Sequence, residues 1–240
     1  SDSQVWADGF ANGTGTLEIR ASEIRAYTAC GRVAFCRISD SRILRLQVGD
    51  ADDAVTRVEI SRSDFDGTLA SDDSAVNIQT NGEVLIEDTT IQNTDGGLLF
   101  SAAAPTQITL DRLRYLNNAA PVSTYVAASV TVLDSEFRSN LSDIFNGGPG
   151  AILATAGSNW DIFTSSFINN RGEGDVGGAI LVEEGAAMSV VNSTFSGNTF
   201  TVEAAAPGAR GAAIGYRSNA GITSLSLRHV TIAAPAALPV

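Results

Sequence analysis

The side chains able to do chemistry in this sequence are mainly carboxylates, gathered in three groups. Asp50, Asp52 and Asp53 form the first; Asp64, Asp66, Asp72 and Asp73 the second; Glu173, Asp175, Glu183 and Glu184 the third. Calcium takes six to eight oxygen ligands, and a loop such as Gly172-Glu173-Gly174-Asp175 supplies some of them. Glu173 and Asp175 are therefore the calcium candidates, set against the plainer reading of solvated loop charge. Calcium is the one cofactor the sequence leaves open. His229 is the only histidine and has no Ser, Cys or Asp in a triad arrangement, so it reads as a turn residue rather than a general base. All 15 basic residues are arginine, which removes any lysine Schiff base. One histidine and a single cysteine pair do not make a zinc site.

A net charge of −12 argues against nucleic acid, whose phosphates call for a basic stripe, and against anionic membranes. No apolar run approaches the roughly 18 residues of a membrane helix, so no membrane insertion is expected. Ser1-Asp2-Ser3-Gln4 lacks the charged and apolar regions of a signal peptide, so the sequence is expected to be that of a mature exported chain or of a protein never exported. Cys30 and Cys36 lie six residues apart around Gly31, and a disulfide between them would place the protein in an oxidising, extracellular or cell-surface compartment. The alternative is a buried free Cys36.

What positions these groups is a repeat with elastic spacers. Let Ile24, Ile43, Phe65, Ile91, Tyr115, Phe137, Phe167, Phe195 and Ile232 be pivots. Seven residues before them stand Leu17, Cys36, Val58, Val84, Ile108, Val130, Trp160, Met188 and Leu225. Five before them stand Ile19, Ile38, Ile60, Ile86, Leu110, Val132, Ile162, Val190 and Leu227. Every entry is apolar, and the period of two is that of a strand with one buried face. At minus two, seven of nine residues carry a hydroxyl (Ser22, Ser41, Ser63, Thr89, Ser135, Ser165, Ser193), which suits a bend between two short strands. Pivots are 19 to 37 residues apart, so the strands are fixed and the loops vary.

The pattern predicts an all-β, right-handed, single-stranded parallel β-helix of about nine coils, with equivalent strands paired in parallel and a core roughly 40 Å long. Residues 1–15, with Trp6 and Phe10, form an N-terminal cap or an incomplete first coil, and residues 16–240 form the solenoid. Trp160 falls in an apolar column and belongs to the core. Outward columns should alternate in charge if the register is right. At minus three they read Asp40, Arg62, Asp88, Arg112, Asp134, and at minus one Glu23, Arg42, Asp64, Thr90, Arg114, Glu136. Asn118, Asn140, Asn170 and Asn198, each three after its pivot, are expected to stack as a structural ladder.

Phe137-Arg-Ser-Asn140, Phe167-Ile-Asn-Asn170 and Phe195-Ser-Gly-Asn198 fit an FxxN motif, and Gly150-Ala-Ile-Leu153, Gly177-Gly-Ala-Ile-Leu181 and Gly211-Ala-Ala-Ile214 are close to GGA followed by an aliphatic residue. Over residues 130 to 215 this alternation resembles the passenger domains of chlamydial polymorphic outer-membrane proteins and, more broadly, β-helix repeats of bacterial surface proteins. The resemblance implies an adhesin or surface scaffold whose partner is a host or neighbouring-cell surface or a glycan. Asn93-Thr94-Asp95-Gly96 is similar to the NTDG element of polygalacturonase-like glycosidases, but the GHG and RIK elements are missing, and one carboxylate does not make the pair a glycosidase needs. The expected function is therefore non-enzymatic, structural or adhesive; the alternative is a polysaccharide lyase or glycoside hydrolase. After the last strand only Ala-Ala-Pro-Ala-Ala-Leu-Pro-Val remains. This leaves three readings: a domain cut from a longer surface protein, a strand partner from another copy stacking end to end, or Pro235 and Pro239 as blockers.

Overall fold

The computed structural model describes residues 5–8, 15–31, 33–49, 55–67, 75–101, 106–125, 127–142, 148–173, 177–201, 211–217 and 224–233. The expectations for Phe10, Asp50, Asp52, Asp53, Asp72, Asp73, Asp175, Pro235 and Pro239 lie outside these residues. The protein is a parallel β-solenoid with three faces. The first is a nine-stranded sheet whose members, from Thr16–Arg20 to Ser224–Arg228, stack in chain order. Ile60 lies opposite Ile86 and Ile86 opposite Leu110, which are the pairings the offsets require. The second face carries the pivots: Phe65 pairs with Ile91, Ile91 with Tyr115, Tyr115 with Phe137, and so on to Phe195 and Ile232.

The third face stands at no constant offset from the pivots, and in the sequence only the GGA-type segments of the later turns lead into it. It comprises the ends of Glu23–Gly31 and Arg42–Val48, then Ala75–Gln79, Gly97–Ser101, Val122–Thr124, Ile152–Ala154, Ile180–Val182 and Ile214–Tyr216. Loops of unequal length precede these strands, so no constant offset from the pivots reveals them. The chain rounds all three faces eight times between Thr16 and Tyr216; Val5–Asp8 before, and Ser224–Arg228 with Thr231–Ala233 after, belong to partial turns. The nine expected coils thus become eight full turns and two partial ones among the described residues.

Stacked turns demand that every corner be solved in the same way. The residue three before each pivot adopts the left-handed conformation at all nine positions: Ala21, Asp40, Arg62, Asp88, Arg112, Asp134, Thr164, Asn192 and His229, with φ of 46–54°. From Ala21 to Asn192 its N–H donates to a carbonyl of the next turn, as from Asp40 to Ser61 and from Arg112 to Leu133, so backbone pairing continues around the bend. The hydroxyl at minus two completes the corner. Ser135 Oγ accepts from Leu113 N at 3.0 Å and donates to Leu133 O at 2.7 Å, and Ser165 and Ser193 repeat the pattern. In the first two turns the second corner lies within a continuous strand, with a register shift between Ile24 and Tyr27. From Asn93 onward a second left-handed column cuts it, through Asn117, Ser139, Asn169 and Gly197.

Inside that second corner run the asparagines, all buried. Asn140 Oδ1 accepts from Asn118 N at 2.9 Å and Asn118 Nδ2 at 3.2 Å, while Asn140 Nδ2 donates to Tyr115 O at 3.0 Å and to Asn170 Oδ1 at 2.9 Å. Asn170 and Asn198 repeat the arrangement, and Thr94 ends it by donating to Asn118 Oδ1 through both its N–H and its hydroxyl. Beside this ladder Phe137, Phe167 and Phe195 stack at 4.8 and 4.6 Å with nearly parallel rings, and Tyr115 tilts against Phe137 at 5.9 Å. A Cβ on Gly150 would come within 2.7 Å of Asn140 O, so the neighbouring backbone leaves that position to glycine. Cys30 and Cys36 form a buried disulfide with a Cα separation of 6.2 Å, fastening the third face of one turn to the first face of the next.

Asn140→Ala removes a side chain that satisfies four neighbouring groups. It is expected to destabilise the fold by about 3 kcal/mol or more, since each orphaned buried partner costs roughly 1–3 kcal/mol. Phe167→Ala should lose about 3–5 kcal/mol. Urea unfolding monitored by circular dichroism measures both.

Candidate functional site

The left-handed first corner opens outward as a shallow groove along the early turns. It encloses about 720 Å³ and is lined by Ala21, Asp40, Arg62 and Asp88 from one column, serines 22, 41 and 63 from the next, and Glu23, Arg42 and Asp64 from a third. These are the three columns nearest the pivot, which the stacking brings side by side.

The predicted charge alternation becomes ion pairing between turns. Arg62 grips Asp40 with Nε at 2.7 Å and Nη2 at 2.9 Å, and Arg112 holds Asp88 at 2.6 and 2.9 Å. Arg37 meets Glu59 at 2.8 Å, and Arg114 lies 3.6 Å from Glu136. The guanidinium beside each holds the carboxyls of Asp40 and Asp88 below their ordinary range. These groups are exposed, so they specify register more than they add stability.

On the second face a polar cluster joins residues that the sequence reading kept apart. Asp66, whose side chain is 12% exposed, accepts from Asn93 Nδ2 at 3.0 Å, Arg42 Nη2 at 3.0 Å and Gln92 Nε2 at 3.3 Å. Asp64, two residues earlier and 37% exposed, has only longer contacts, with Arg42 Nε and Gln92 Nε2, both at 3.5 Å. Burial first, and then the charge of Asp66, raise the Asp64 carboxyl above its usual range, and Arg42 partly opposes them. Two carboxylates thus stand in contrasting environments, one anchored by three donors and the other pushed toward its protonated form. The signal in the sequence was their place one before and one after the same pivot; only the register shows that Arg42 and the Gln92-Asn93 pair lie beside them.

The remaining sequence candidates do not converge on this cluster. Asn93 sits in the left-handed second corner, Thr94 heads the buried ladder, and Asp95 is exposed at the bend, so the NTDG segment forms a corner. His229 occupies the left-handed corner of the last turn. Trp160 is buried, its Nε1 donating to Ser158 Oγ at 3.1 Å. Glu173 ends the short strand Arg171–Glu173, which pairs with Thr199–Thr201 away from the groove. Glu183 lies 3.7 Å from Arg217. Among the described residues no three His, Cys, Asp or Glu side chains are grouped to hold a metal ion.

Comparison with known families accords with this architecture. Residues 46–228 match the family model of the right-handed beta helix region. The chain therefore belongs to the right-handed β-helix family. No curated protein and no solved structure matches it.

The raised Asp64 carboxyl fixes a sign. The folded state binds this proton more tightly than the unfolded chain, so the stability associated with it falls as pH rises from the ordinary carboxylate range through the folded value. Asp64→Asn is expected to raise the melting temperature at neutral pH, with the gain disappearing by about pH 3, below the ordinary carboxylate range. Melting curves across pH test it; a loss of stability at neutral pH would show that the Arg42 contact outweighs burial.

Proposed function

We propose that this chain is a non-catalytic, extracellular structural or adhesive scaffold, a rigid rod whose faces are presented to other molecules. One observation carries the reading: in the groove and on the faces beside it, most of the paired polar side chains serve the stacking of turns. Asp40 and Asp88 are held bidentately by arginines of the next turn, Glu59 faces Arg37, and Asp66 is engaged by three donors. The disulfide suits an oxidising compartment. The FxxN and GGA-type motifs, like those of the chlamydial passenger domains, support an adhesin at a cell surface, with a host surface or glycan as partner. On the first face Leu133, Phe163 and Val191 stack in adjacent turns as half-buried outward side chains, an apolar stripe of the kind a partner covers.

The alternative, a polysaccharide lyase or glycoside hydrolase, is favoured by the Asp64 and Asp66 pair, whose environments push apart the protonation of the two carboxyls. Incubation with pectin, alginate and related acidic glycans, with and without calcium, separates the readings. The scaffold reading expects no reducing or unsaturated sugar above the blank. Turnover that vanishes in both Asp64→Asn and Asp66→Asn would overturn it.

A further inference from the structure

The first face changes character along the rod. In its early turns the outward side chains are charged and paired between turns, as Arg37 is with Glu59 at 2.8 Å. Three later turns carry instead an outward apolar column, in which Leu133, Phe163 and Val191 are aligned and half-buried. Asp111 in the turn before and Arg228 in the turn after bound it. A polar column runs along each side. Two residues earlier on the same strands, and so facing the same way, lie Thr131, Asp161 and Ser189. On the other side the left-handed corner presents Asp134, Thr164 and Asn192, all exposed. Thr164 Oγ1 donates to Asp134, whereas Asp161, unlike Asp40 and Asp88, has no ion pair among the described residues. Over these three turns the three columns hold two carboxylates and no basic side chain.

We infer that this strip binds a β-1,4-linked glucan, laid along the rod axis with its sugar rings flat on the apolar column. This rests on the scaffold reading and names the class of molecule that covers the stripe. A glucan of this linkage is an extended ribbon. Its ring substituents are all equatorial, so the broad faces of each sugar are C–H and both edges carry hydroxyls, the complement of an apolar centre with two polar margins. Phe163, in the middle turn, offers its ring to the sugar C–H groups, and Leu133 and Val191 extend the apolar contact one turn either way. Side chains two residues apart on a strand stand roughly 7 Å apart, so the margins lie where the edges of a sugar fall. Asp161 and Asp134 accept from hydroxyls, Thr131, Thr164 and Ser189 donate or accept, and the Asn192 amide does both. Turns repeat at about 4.8 Å, which gives the stripe room for about three sugars. Two carboxylates without a cation repel uronate and sulfated chains. The margins carry only hydroxyl, carboxylate and amide side chains, which favours the edge of an unsubstituted sugar over that of an acetamido sugar.

The test is co-sedimentation of the full chain with microcrystalline cellulose and calorimetric titration with cellohexaose, with chitin and polygalacturonate as comparison ligands. The wild type should bind the two glucans and neither comparison ligand. Phe163→Ala should weaken cellohexaose binding roughly tenfold or more, because the ring contact is lost. Phe163→Tyr should retain binding, and Leu116→Ala, at a half-buried outward position on the second face, should bind as the wild type does. Each variant is checked by circular dichroism for an unchanged fold; if Phe163→Ala is misfolded, Asp161→Ala takes its place with the same direction of effect. A wild type that binds no glucan, a Phe163→Ala variant that binds equally well, or a preference for chitin or polygalacturonate would overturn the inference. Absent binding without glycan turnover would sink the glucan and leave the scaffold reading standing, whereas turnover would remove the scaffold reading whatever the strip binds.

Discussion

Backbone pairing between successive turns is the constraint from which the rest follows. A parallel ladder ties each residue of a strand to its counterpart one turn away, so whatever a turn does at a corner its neighbours must do at the same place. A bend that left the ladder would orphan its amides. The left-handed residue three before each pivot meets this demand, keeping its N–H in the ladder while the chain changes direction. Left-handed backbone is costly for residues such as arginine and threonine. It is tolerated here because hydrogen bonds on both sides over-determine the bend.

Once corners are fixed, identical positions form columns, and each column accepts only chemistry that tolerates its own repetition. Apolar side chains repeat freely, and flat rings repeat by stacking, as Phe137, Phe167 and Phe195 do. Asparagine repeats because its amide is donor and acceptor at once, so each copy satisfies the next. Charges repeat by alternating sign, as in Asp40, Arg62, Asp88 and Arg112, or with a counter-charge at hand, as where Glu87 and Asp111 stack and Arg112 reaches both. Along the groove on the first corner, Asp40, Arg62 and Asp88 are thus engaged with neighbouring turns.

Much of this was legible beforehand. The minus-seven and minus-five columns, the buried Trp160, the asparagine ladder and the pairing of Cys30 with Cys36 all follow from local period and spacing, because one turn's requirements are written again in the next. Two features escaped. The third face did, since loops of unequal length between Asn140 and Gly150, or Glu173 and Gly177, shift it relative to the pivots. The cluster around Asp66 did too, because Arg42, Gln92 and Asn93 approach it from the turns on either side, and that proximity is created by register alone. The bend itself was placed correctly but assigned to the serine; the left-handed residue just before it, with no constant side-chain type, makes the turn.

The rod is not held together uniformly along its length. Bidentate and close ion pairs between turns cluster in its first half, from Arg37 to Arg112, whereas the buried amide chain and the face-to-face phenylalanines occupy the second, from Asn118 to Asn198. Dissolved electrolyte screens the former and hardly touches the latter. Ionic strength therefore acts unequally along the rod: salt weakens the register-setting ion pairs of the amino-terminal portion and leaves the buried amides and stacked rings of the carboxyl-terminal portion as they are.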